Sequence, residues 1–582
     1  MDTHSKRRRF SLSHSYFSFL QRRKISDRLI FGLVLIAVFV TALVVVFTAN
    51  SKFLTSVPTQ GGMIAEGIIG TPRFVNPVLA ITRADHDMAA LVYSGLLKID
   101  EHGSLVNDLA ESIDVSEDGK TYHIVLRKGV HFHNGAELKA RDVAFTIGLI
   151  QNPDLKSPLR GNWDGVTVKE MNDYELDITL EEAYAPFKEN LTVGILPREL
   201  WDELPIEQIP FSQNNTQPVG TGPYRIEDAL RSKAGLINAY KLTAFEGADP
   251  KPNITTLVFN FYQNEDELLE ALANKEIAST PSLSPESLGK VDTATYKIIE
   301  APLPRTFGLY FNQNRSALLR DASLRAALNA ALDKEKLVDT VLYGYGIPTD
   351  SPIPPGFNTV ESTSSTEEQS TSTDPLARAS AILTSGGWTK NANGVWEKKI
   401  DGEVVPLSVT ITTANTPLFA QTASFVADAW KALGAEVTIS QFEQSDLVQS
   451  VIRPREYEVL LYGADVGRQI DLYPFWHSSQ KNDPGLNIAA YANIDVDALL
   501  HKSLTEQDTD ARAKLLQQAA SIIQSEEPAT FLFAPTFAYV LDADITAAPI
   551  ERLSKPSDRF ANIAAWHIRS DNLWPIFSHT DN

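Results

Sequence analysis

The chain has 582 residues, a net charge of −21 and no cysteine. Because a chain of this length exceeds what one hydrophobic core supports, we expect two or more lobes. The lack of cysteine excludes disulfides, thiolate nucleophiles, cysteine-ligated metal centres and lipid attachment through an N-terminal cysteine.

The charge is distributed unevenly along the chain. Residues 1–28 contain eight basic and two acidic residues, a net charge of +6, which leaves −27 for the remainder. A body this acidic repels phosphate groups, so we expect no nucleic acid partner.

Residues 29–49, LIFGLVLIAVFVTALVVVFTA, contain no charged side chain. At about 1.5 Å per residue, a helix of this length spans roughly the 30 Å hydrocarbon core of a bilayer.

We therefore predict a cytoplasmic basic tail over residues 1–28, a transmembrane anchor over 29–49 and a polar linker over 50–61. The basic flank keeps the N-terminus in the cytoplasm, so the protein is expected in the cell membrane as a single-pass protein with an extracytoplasmic body. The alternative is a cleaved signal peptide, for which TAN at 48–50 is a weak cleavage site.

The chain from residue 62 onward alternates short strand patterns with helical patterns, which predicts α/β lobes. In TYHIVLRK, residues 121–128, apolar and polar side chains alternate as in a half-buried strand. The alternation resumes in VHFH, residues 130–133, where Phe132 is predicted to point inward and His133 outward.

Four further segments carry helix, strand or loop patterns. ARDVAFTIGLI, 140–150, predicts a helix, with Asp142 at its positive N-terminal end. DASLRAALNAALDKEKLV, 321–338, predicts a second amphipathic helix. ATFLFAPTFAYVLDADI, 529–545, is typical of a buried strand, whereas the low-complexity stretch 358–374 predicts a mobile surface loop.

The three histidines at positions 123, 131 and 133 permit two interpretations. His131 and His133 lie on the same side of the predicted strand and could in principle chelate a metal. No carboxylate cluster follows at ligand spacing, which favours a structural role at a hairpin and predicts no metal.

The sequence carries no local signature of catalysis. VGTGPY, 219–224, lacks the spacing and the following helix of a dinucleotide loop, and predicts instead a tight turn where backbone approaches backbone. A Walker A loop, an H-E-x-x-H motif and a G-x-S-x-G motif do not occur in the sequence. We therefore expect neither an enzyme nor a bound cofactor.

The stretch YGADVGRQIDLYPFWHSS, 462–479, combines aromatic and charged residues. Aromatic faces with a few charges suit a cleft for a small amphiphilic ligand, in which a carboxylate holds an ammonium group and an arginine holds a carboxylate. The alternative is a surface loop over an aromatic core.

Five segments stand in a characteristic order. They are LAESIDVSEDGKTYHIVLRKGVHFHNGAELKARDVAFT (109–146), PVGTGPYRI (218–226), FGLYFNQNRSALLRDASLRAALNAALDKEKLV (307–338, followed by PIPPGF at 352–357), PLARASAILTSGGW (375–388) and FWHSSQKNDPGLNIAAYANIDVDALL (475–500). Together they resemble the extracytoplasmic solute-binding proteins of ABC importers, family 5, in the group that takes oligopeptides, dipeptides and nickel. The resemblance extends over roughly residues 65–570.

The resemblance implies a two-lobed, periplasmic-binding-protein-like α/β fold of type II with a hinge, preceded here by the transmembrane helix. Lobe I would comprise residues 62–95, 215–304 and 530–582, with an extra subdomain inserted at 96–214. Lobe II would comprise residues 305–529. The helix would replace the lipid-modified cysteine that anchors many relatives.

The resemblance and the composition of residues 462–479 together indicate candidate ligand-binding residues. They are Asp465, Tyr462, Arg468, Trp476, Phe74 and Asn76. In the peptide-binding members an aspartate at the matching position of Asp465 holds the α-ammonium group of the ligand, and an aromatic residue commonly sits at the position of Tyr462. VGRQID departs from the family pattern and leaves Arg468 as a candidate partner for a ligand carboxylate. The segment GTPRFVNPVLA, 70–80, matches a loop that lines the cleft.

The function implied is capture of short peptides by a monomer and their delivery to ABC permease subunits with their ATPases. A tethered sensor, a binding protein for a nickel chelate or an oligosaccharide, and an extracellular hydrolase are the alternatives.

Overall fold

The computed structural model describes residues 25–53, 55–357, 374–400, 402–548 and 551–573. Within these ranges the chain forms two compact units. One unit contains the chain up to Thr59 together with the chain from Arg569 onward, and the other is Gln60–Ile568. Most of the predicted basic tail, and the predicted loop up to residue 373, lie outside the described residues.

The helices and strands are numbered in chain order. The helices are α1 (Ile25–Phe53), α2 (Arg83–Val92), α3 (Ala140–Gln151), α4 (Glu265–Ala273), α5 (Pro285–Leu288), α6 (Ala322–Ala330), α7 (Lys334–Val341), α8 (Pro375–Ser385), α9 (Pro417–Leu433), α10 (Gln444–Asp446), α11 (Tyr473–Trp476), α12 (Ile494–Thr505) and α13 (Thr509–Glu526). The strands are β1 (Thr55–Pro58), β2 (Met63–Ile69), β3 (Leu97–Ile99), β4 (Leu105–Asn107), β5 (Ala110–Val115), β6 (Thr121–Leu126), β7 (Thr167–Asn172), β8 (Glu175–Thr179), β9 (Tyr224–Arg231), β10 (Ile237–Ala244), β11 (Thr256–Tyr262), β12 (Ser279–Thr280), β13 (Tyr296–Pro302), β14 (Arg305–Phe311), β15 (Gly346–Pro348), β16 (Thr389–Lys390), β17 (Trp396–Ile400), β18 (Glu403–Pro406), β19 (Ser408–Ala414), β20 (Glu436–Phe442), β21 (Val459–Asp465), β22 (Ala529–Asp542) and β23 (Ser570–Leu573).

The first unit consists of α1 and a small sheet. α1 is a 29-residue helix that begins before the predicted anchor and ends after it. Its large apolar side chains between Leu29 and Val45 are for the most part more than half exposed. By length and apolar content, no helix over the described residues qualifies to cross a membrane. Strand β1 falls within the predicted linker and pairs antiparallel with β23.

The second unit is organised around a sheet of 12 strands. Its main order is β20-β19-β21-β14-β22-β12-β2-β11-β10-β9, with β13 and β15 pairing with β22 off this path. The C-terminal half of β22 pairs with β12 and β13, whereas its N-terminal half pairs with β14 and β15. β22 therefore runs through both halves of the sheet.

The buried apolar side chains divide the second unit into two lobes. One set of cores draws on residues 64–303 and 537–566, which we call the first lobe. The other set draws on residues 309–533, which we call the second lobe. The chain crosses between the lobes in the β13–β14 connection and again within β22, the arrangement expected of a hinge.

A four-stranded sheet in the order β5-β6-β8-β7 lies in the first lobe together with α3. The predicted strand at 121–128 is confirmed, because Tyr122, Ile124 and Leu126 of β6 are buried. The predicted helix at 140–150 is confirmed as α3, where the Asp142 carboxylate accepts a hydrogen bond from the Lys139 N–H at 2.9 Å.

Two predicted elements differ from the structure. The strand predicted to resume at 130–133 is wrong, because His131 forms only an isolated bridge with Glu137. The single helix predicted over 321–338 is also wrong. The Asp333 carboxylate accepts from the Lys336 N–H at 3.0 Å and so begins a new helix, α7, after α6 has ended. The predicted strand at 529–545 is confirmed as β22.

Candidate functional site

Strands β14 and β21 bring a charged pair to the junction of the lobes. They pair antiparallel in a register that sets Arg305 opposite Asp465. The Arg305 Nε–H donates to Asp465 Oδ2 at 2.8 Å, and the Gly467 N–H donates to Asp465 Oδ1 at 3.2 Å. The Asp465 side chain is nevertheless 44% exposed. Its carboxylate is held in position and can still accept a hydrogen bond from a cationic group.

Tyr462 lies on the same strand as Asp465. Its ring stacks on Phe419 with centroids 6.2 Å apart, and the Gln444 side-chain amide lies 3.5 Å from its hydroxyl. Side chains three positions apart on a strand point to opposite faces, so Tyr462 and Asp465 project from opposite faces of β21.

Arg468 lies in the loop that follows β21 and is buried between the lobes, with 3% of its side chain exposed. Its Nη1 donates to the Gly103 carbonyl oxygen at 2.9 Å, and its Nη2 forms an ion pair with Asp558. Its Nε lies 3.9 Å from Glu189 Oε1. Since these three partners belong to the first lobe, the guanidinium connects the two lobes.

Other groups of the same loop, residues 466–471, also contact the first lobe. We call this segment the clasp loop. The Tyr184 hydroxyl donates to Asp471 Oδ2 at 2.7 Å, and burial raises the pKa of both groups. The Gln469 N–H lies 3.4 Å from Glu189 Oε2. The clasp loop therefore joins the lobes through polar contacts.

The remaining predicted ligand-binding residues lie elsewhere. Trp476 is 2% exposed and packs against Tyr491 and Phe531 in a core of the second lobe. Asn76 is fully buried, and its side chain bonds to the Asn215 side chain at 3.1 Å and to the Val78 N–H at 2.9 Å.

Phe74 is half-buried in the first lobe. Its N–H donates to the Asp85 carboxylate at 2.7 Å, and the Arg73 guanidinium lies 5.1 Å from its ring centroid. Of the six predicted residues, the structure brings together Asp465 and Arg468 at the lobe junction, while Trp476 and Asn76 belong to the cores.

The three histidines at positions 123, 131 and 133 have separate environments. His123 Nδ1 bonds to Asp177 at 2.7 Å, His131 is exposed, and His133 is packed between two glycines of the first lobe. His133 therefore points inward, which corrects the predicted outward orientation. In the described parts of the chain, no three His, Asp or Glu side chains are grouped so as to hold a metal ion.

Sequence reasoning missed the partners of the two charged site residues. Arg305 begins β14, and its pairing with Asp465 depends on strand register. Glu189 and Asp558 reach Arg468 from distant parts of the chain. The FGLYF segment indicates the strand that Arg305 begins, but the partner of Arg305 depends on strand register, which the segment does not reveal.

The arrangement offers one exposed, oriented carboxylate at a junction of two lobes, and polar contacts that hold the lobes together. Such a junction can enclose a solute whose cationic group reaches Asp465.

Comparison with known proteins agrees with this geometry. Residues 104–484 match the family described as bacterial extracellular solute-binding proteins, family 5. The chain is 27% identical over 531 residues to the oligopeptide-binding protein AppA of Bacillus subtilis, covering 89% of this chain and 94% of AppA. It is 24% identical over 527 residues to a dipeptide-binding protein of Escherichia coli, covering 85% and 93% of the two chains.

Two solved structures with similar folds hold different ligands. The B. subtilis AppA structure, in complex with a nonapeptide, matches with a TM-score of 0.65 at 25% identity, covering 88% of this chain and all 100% of AppA. NikZ of Campylobacter jejuni, in complex with Ni(L-His), matches with a TM-score of 0.64 at 25% identity, covering 87% and 99%. The mixed α/β fold is that of periplasmic binding proteins, as the sequence predicted.

The matched region extends over more than half of the chain and contains both Arg468 and Asp465. Together, the match and the two-lobed fold identify a protein that binds solutes and is not an enzyme. The chain belongs to the bacterial extracellular solute-binding proteins of family 5.

Proposed function

We propose that this protein captures short peptides between its two lobes and passes them to the permease subunits of an ABC importer. The observation that carries the proposal is the Asp465 carboxylate, which is fixed by Arg305 yet 44% exposed at the lobe junction. A peptide α-ammonium group is a suitable partner for such a carboxylate. The similarity to B. subtilis AppA, whose structure holds a nonapeptide, supports a peptide ligand.

The binding step follows from the two-lobed architecture. A ligand that contacts both lobes binds the closed form more tightly than the open form, and so shifts the population toward closure. Closure removes water from the site, which strengthens the attraction between Asp465 and the ammonium group. The clasp loop contributes lobe-to-lobe contacts of its own, so part of the closing free energy comes from the protein.

The test compares a tetrapeptide with a free N-terminus and its N-acetylated form, each titrated into the full-length protein in detergent. Acetylation removes the ammonium charge and should lower the affinity of the natural protein by about tenfold to a thousandfold. The isosteric variant Asp465→Asn should bind the free peptide more weakly and lose this discrimination. Equal discrimination in both proteins would remove the role assigned to Asp465.

Two further measurements address the ligand class and import. If Ni(L-His) binds tightly while a broad tetrapeptide mixture leaves the calorimetric signal flat, the peptide proposal fails. Uptake of a labelled peptide by cells with the protein, and its loss on deletion, distinguishes import from sensing.

Although no helix over the described residues qualifies to cross a membrane, we also propose that the apolar residues of α1 attach the protein to the membrane, with the body outside the cytoplasm. Most of its large apolar side chains between Leu29 and Val45 are exposed. The Thr41 and Thr48 hydroxyls donate to carbonyl oxygens four residues earlier, at 2.7 and 2.6 Å. The protein should remain in the membrane pellet after an alkaline carbonate wash. Release into the supernatant at full length would contradict the anchor.

A further inference from the structure

Helix α2 begins with an arginine on the first-lobe side of the lobe junction. Strands β2 and β12 run parallel in the first lobe, and β19 and β21 run parallel in the second. Asp465 is the last residue of β21. The Arg83 Nη1 donates to the carbonyl oxygen of Pro281, the residue directly after β12, at 2.6 Å. Since ligands of open α/β sheets bind beyond the carboxyl ends of parallel strands, each lobe places one charged side chain where a ligand is expected.

The loop before α2 fixes the backbone that carries Arg83. The Asp85 carboxylate accepts hydrogen bonds from four backbone N–H groups, which belong to Arg73, Phe74, Ile81 and Thr82, at 2.6, 2.7, 3.3 and 3.0 Å. The Thr82 hydroxyl in turn accepts from the Asp85 N–H at 3.1 Å and caps the helix. A ligand that contacts Arg83 therefore meets a side chain on a fixed support.

Arg83 has donors that no described residue uses. The residue is exposed and forms no ion pair over the described part of the chain. Because only its Nη1 is engaged, by Pro281, its Nε and Nη2 can donate to a ligand. The acidic residues that act on its charge, Asp87 and Glu66, are 0% and 2% exposed and both pair with Arg559. The oxygen atoms of these carboxylates are thus already committed.

A second guanidinium, that of Arg305, acts on Arg83. Neighbouring atoms partly bury the Arg83 guanidinium, which is the main cause that lowers the pKa of Arg83, and the charges of Arg559 and Arg305 add to this effect. Arg305 also donates to Asp465 at 2.8 Å, so Arg83 lies close to the charged pair of the proposed peptide site. Because like charges repel, an anion bound beside Arg83 relieves the repulsion between the guanidinium groups.

The arginine that the sequence indicated for a ligand carboxylate is not available for that role. Arg468 is 3% exposed, and its guanidinium contacts Asp558 and the Gly103 carbonyl oxygen. Arg83 offers the same chemistry with unused donors, since an arginine can hold a carboxylate through two parallel hydrogen bonds.

We propose that Arg83 is a specificity-determining residue of the peptide site and binds a carboxylate of a peptide whose ammonium group is held by Asp465. This assignment rests on the proposed function of peptide capture. The carboxylate is either the C-terminus of a short peptide or an acidic side chain. A ligand that carries both charges contacts Arg83 in the first lobe and Asp465 in the second, and so favours the closed form.

The test titrates four peptides with free N-termini into the full-length protein in detergent, by calorimetry. Trialanine and trialanine amide form the arm for the terminal carboxylate. Alanyl-glutamyl-alanine amide and alanyl-glutaminyl-alanine amide form the arm for the side-chain carboxylate. In at least one arm the carboxylate form should bind about tenfold or more tighter than its neutral partner, which also identifies the source of the carboxylate.

The outcomes separate this inference from the proposed function. If the natural protein distinguishes free from N-acetylated peptides but shows no carboxylate preference in either arm, the inference is overturned and peptide capture stands. If none of the four peptides binds, peptide capture fails and the role of Arg83 fails with it.

Two variants locate the preference. Arg83→Met removes the charge and the donors, and Arg83→Gln removes the charge while keeping a side-chain donor. Both should bind the carboxylate and neutral peptides about equally, yet still prefer free to N-acetylated peptide, because Asp465 is unchanged. Arg141→Met is the matched control, since Arg141 is an exposed arginine of α3 with no ion pair among the described residues. A carboxylate preference retained in either folded Arg83 variant, an equal loss in Arg141→Met, or a simultaneous loss of the ammonium preference would overturn the assignment.

Discussion

The guanidinium of Arg559 is fully buried in the first lobe between two carboxylates. It contacts both oxygens of Asp87 at 2.8 Å and also pairs with Glu66. The Tyr539 hydroxyl donates to Glu66 at 2.7 Å. Burial alone would lower the pKa of Arg559, but Asp87 and Glu66 hold it above its ordinary value, and burial raises the pKa of Glu66. The cluster ties β2, α2 and the C-terminal segment together.

We expect Arg559→Met, which keeps the volume and removes the charge, to lower the free energy of unfolding by about 3–5 kcal/mol, because it leaves Asp87 buried without its partner. Urea unfolding of the full-length protein measures the change. The exposed neighbour Lys555→Met is the control and should alter stability by less than about 0.5 kcal/mol. Equal effects of the two substitutions would contradict the role of the buried cluster.

His133 is a second residue whose environment determines its charge. Its Nδ1 accepts from the Gly220 N–H at 3.4 Å, and its Nε2–H donates to the Gly222 carbonyl oxygen at 2.9 Å. Both contacts use the neutral ring. Burial is the main cause that lowers the pKa of His133 to about 4, and Arg225 adds to it.

Because its pKa is lowered, His133 contributes to the stability of the folded protein by an amount that depends on pH. Above pH about 6.5 the imidazole is neutral in both the folded and the unfolded chain, so its contribution is constant. Between about 6.5 and 4 the unfolded chain binds a proton that the folded chain does not, so stability falls as the pH falls. The loss reaches on the order of 3 kcal/mol at the lower end.

We expect His133→Gln to lack this dependence. The difference in the free energy of unfolding between the natural protein and the variant should therefore become smaller as the pH falls from 7.5 to 4.5. Unfolding curves at several pH values measure it. His123→Gln is the control with the opposite slope, because the hydrogen bond to Asp177 raises the pKa of His123. The His123–Asp177 pair stabilises the folded protein below about pH 6.5, and this stabilisation is lost as the pH rises. A parallel pH profile for natural and His133→Gln proteins would contradict the assignment.

At the scale of elements, the segment before β9 passes unusually close to the end of α2. A Cβ at Gly220 would lie 2.1 Å from the Val92 carbonyl oxygen, and one at Gly222 would lie 2.5 Å from that of Leu91. The predicted close approach of backbone to backbone at 219–224 is thereby confirmed. Only glycine fits here, and the same two glycines hold the His133 ring.

We expect Gly220→Ala to lower the free energy of unfolding by about 3 kcal/mol, because the added methyl group meets rigid backbone. Gly148→Ala is the matched control: Gly148 lies in α3, is exposed and has open space around its Cβ position. Since alanine has the higher helix propensity, Gly148→Ala should raise stability by about 0.5–1 kcal/mol. The two variants should therefore shift the unfolding midpoint in opposite directions, and a shift in the same direction would contradict this account.

At the scale of the whole molecule, the clasp loop joins the lobes through Arg468. Its partners Gly103, Glu189 and Asp558 all lie in the first lobe. Breaking the Arg468 contacts exposes no hydrophobic core, because the groups on both sides are polar and become hydrated when the lobes separate. The contact therefore favours the closed form without being needed for folding.

We expect Arg468→Met to raise the radius of gyration of the ligand-free protein in X-ray scattering, and to weaken peptide binding by about tenfold or more, because the ligand must then supply more of the closing free energy. Arg453→Met, which removes an exposed arginine with an Asp483 contact at 3.6 Å, is the control and should change neither quantity. An unchanged scattering curve for Arg468→Met would show that the clasp does not control closure.

The elements that could be predicted from the sequence depend on local patterns. The alternation in β6, the apolar stripe of α3 and the apolar run of β22 each reflect burial of neighbouring residues, and burial leaves a periodic pattern in the sequence. The prediction failed where one side chain outweighed the pattern, as when the Asp333 cap divided one amphipathic stretch into two helices.

By itself the sequence determined the family, the mixed α/β fold and the segment that contains Asp465, because ordered motifs and periodic burial are properties of neighbouring residues. Only the tertiary structure decided which charges meet: Arg305 with Asp465 across 160 positions, Arg468 with Asp558 across 90, and Arg559 with Glu66 across 493. Such pairs depend on strand register and lobe contact, which bring together residues whose separation along the chain carries no information about their distance in space.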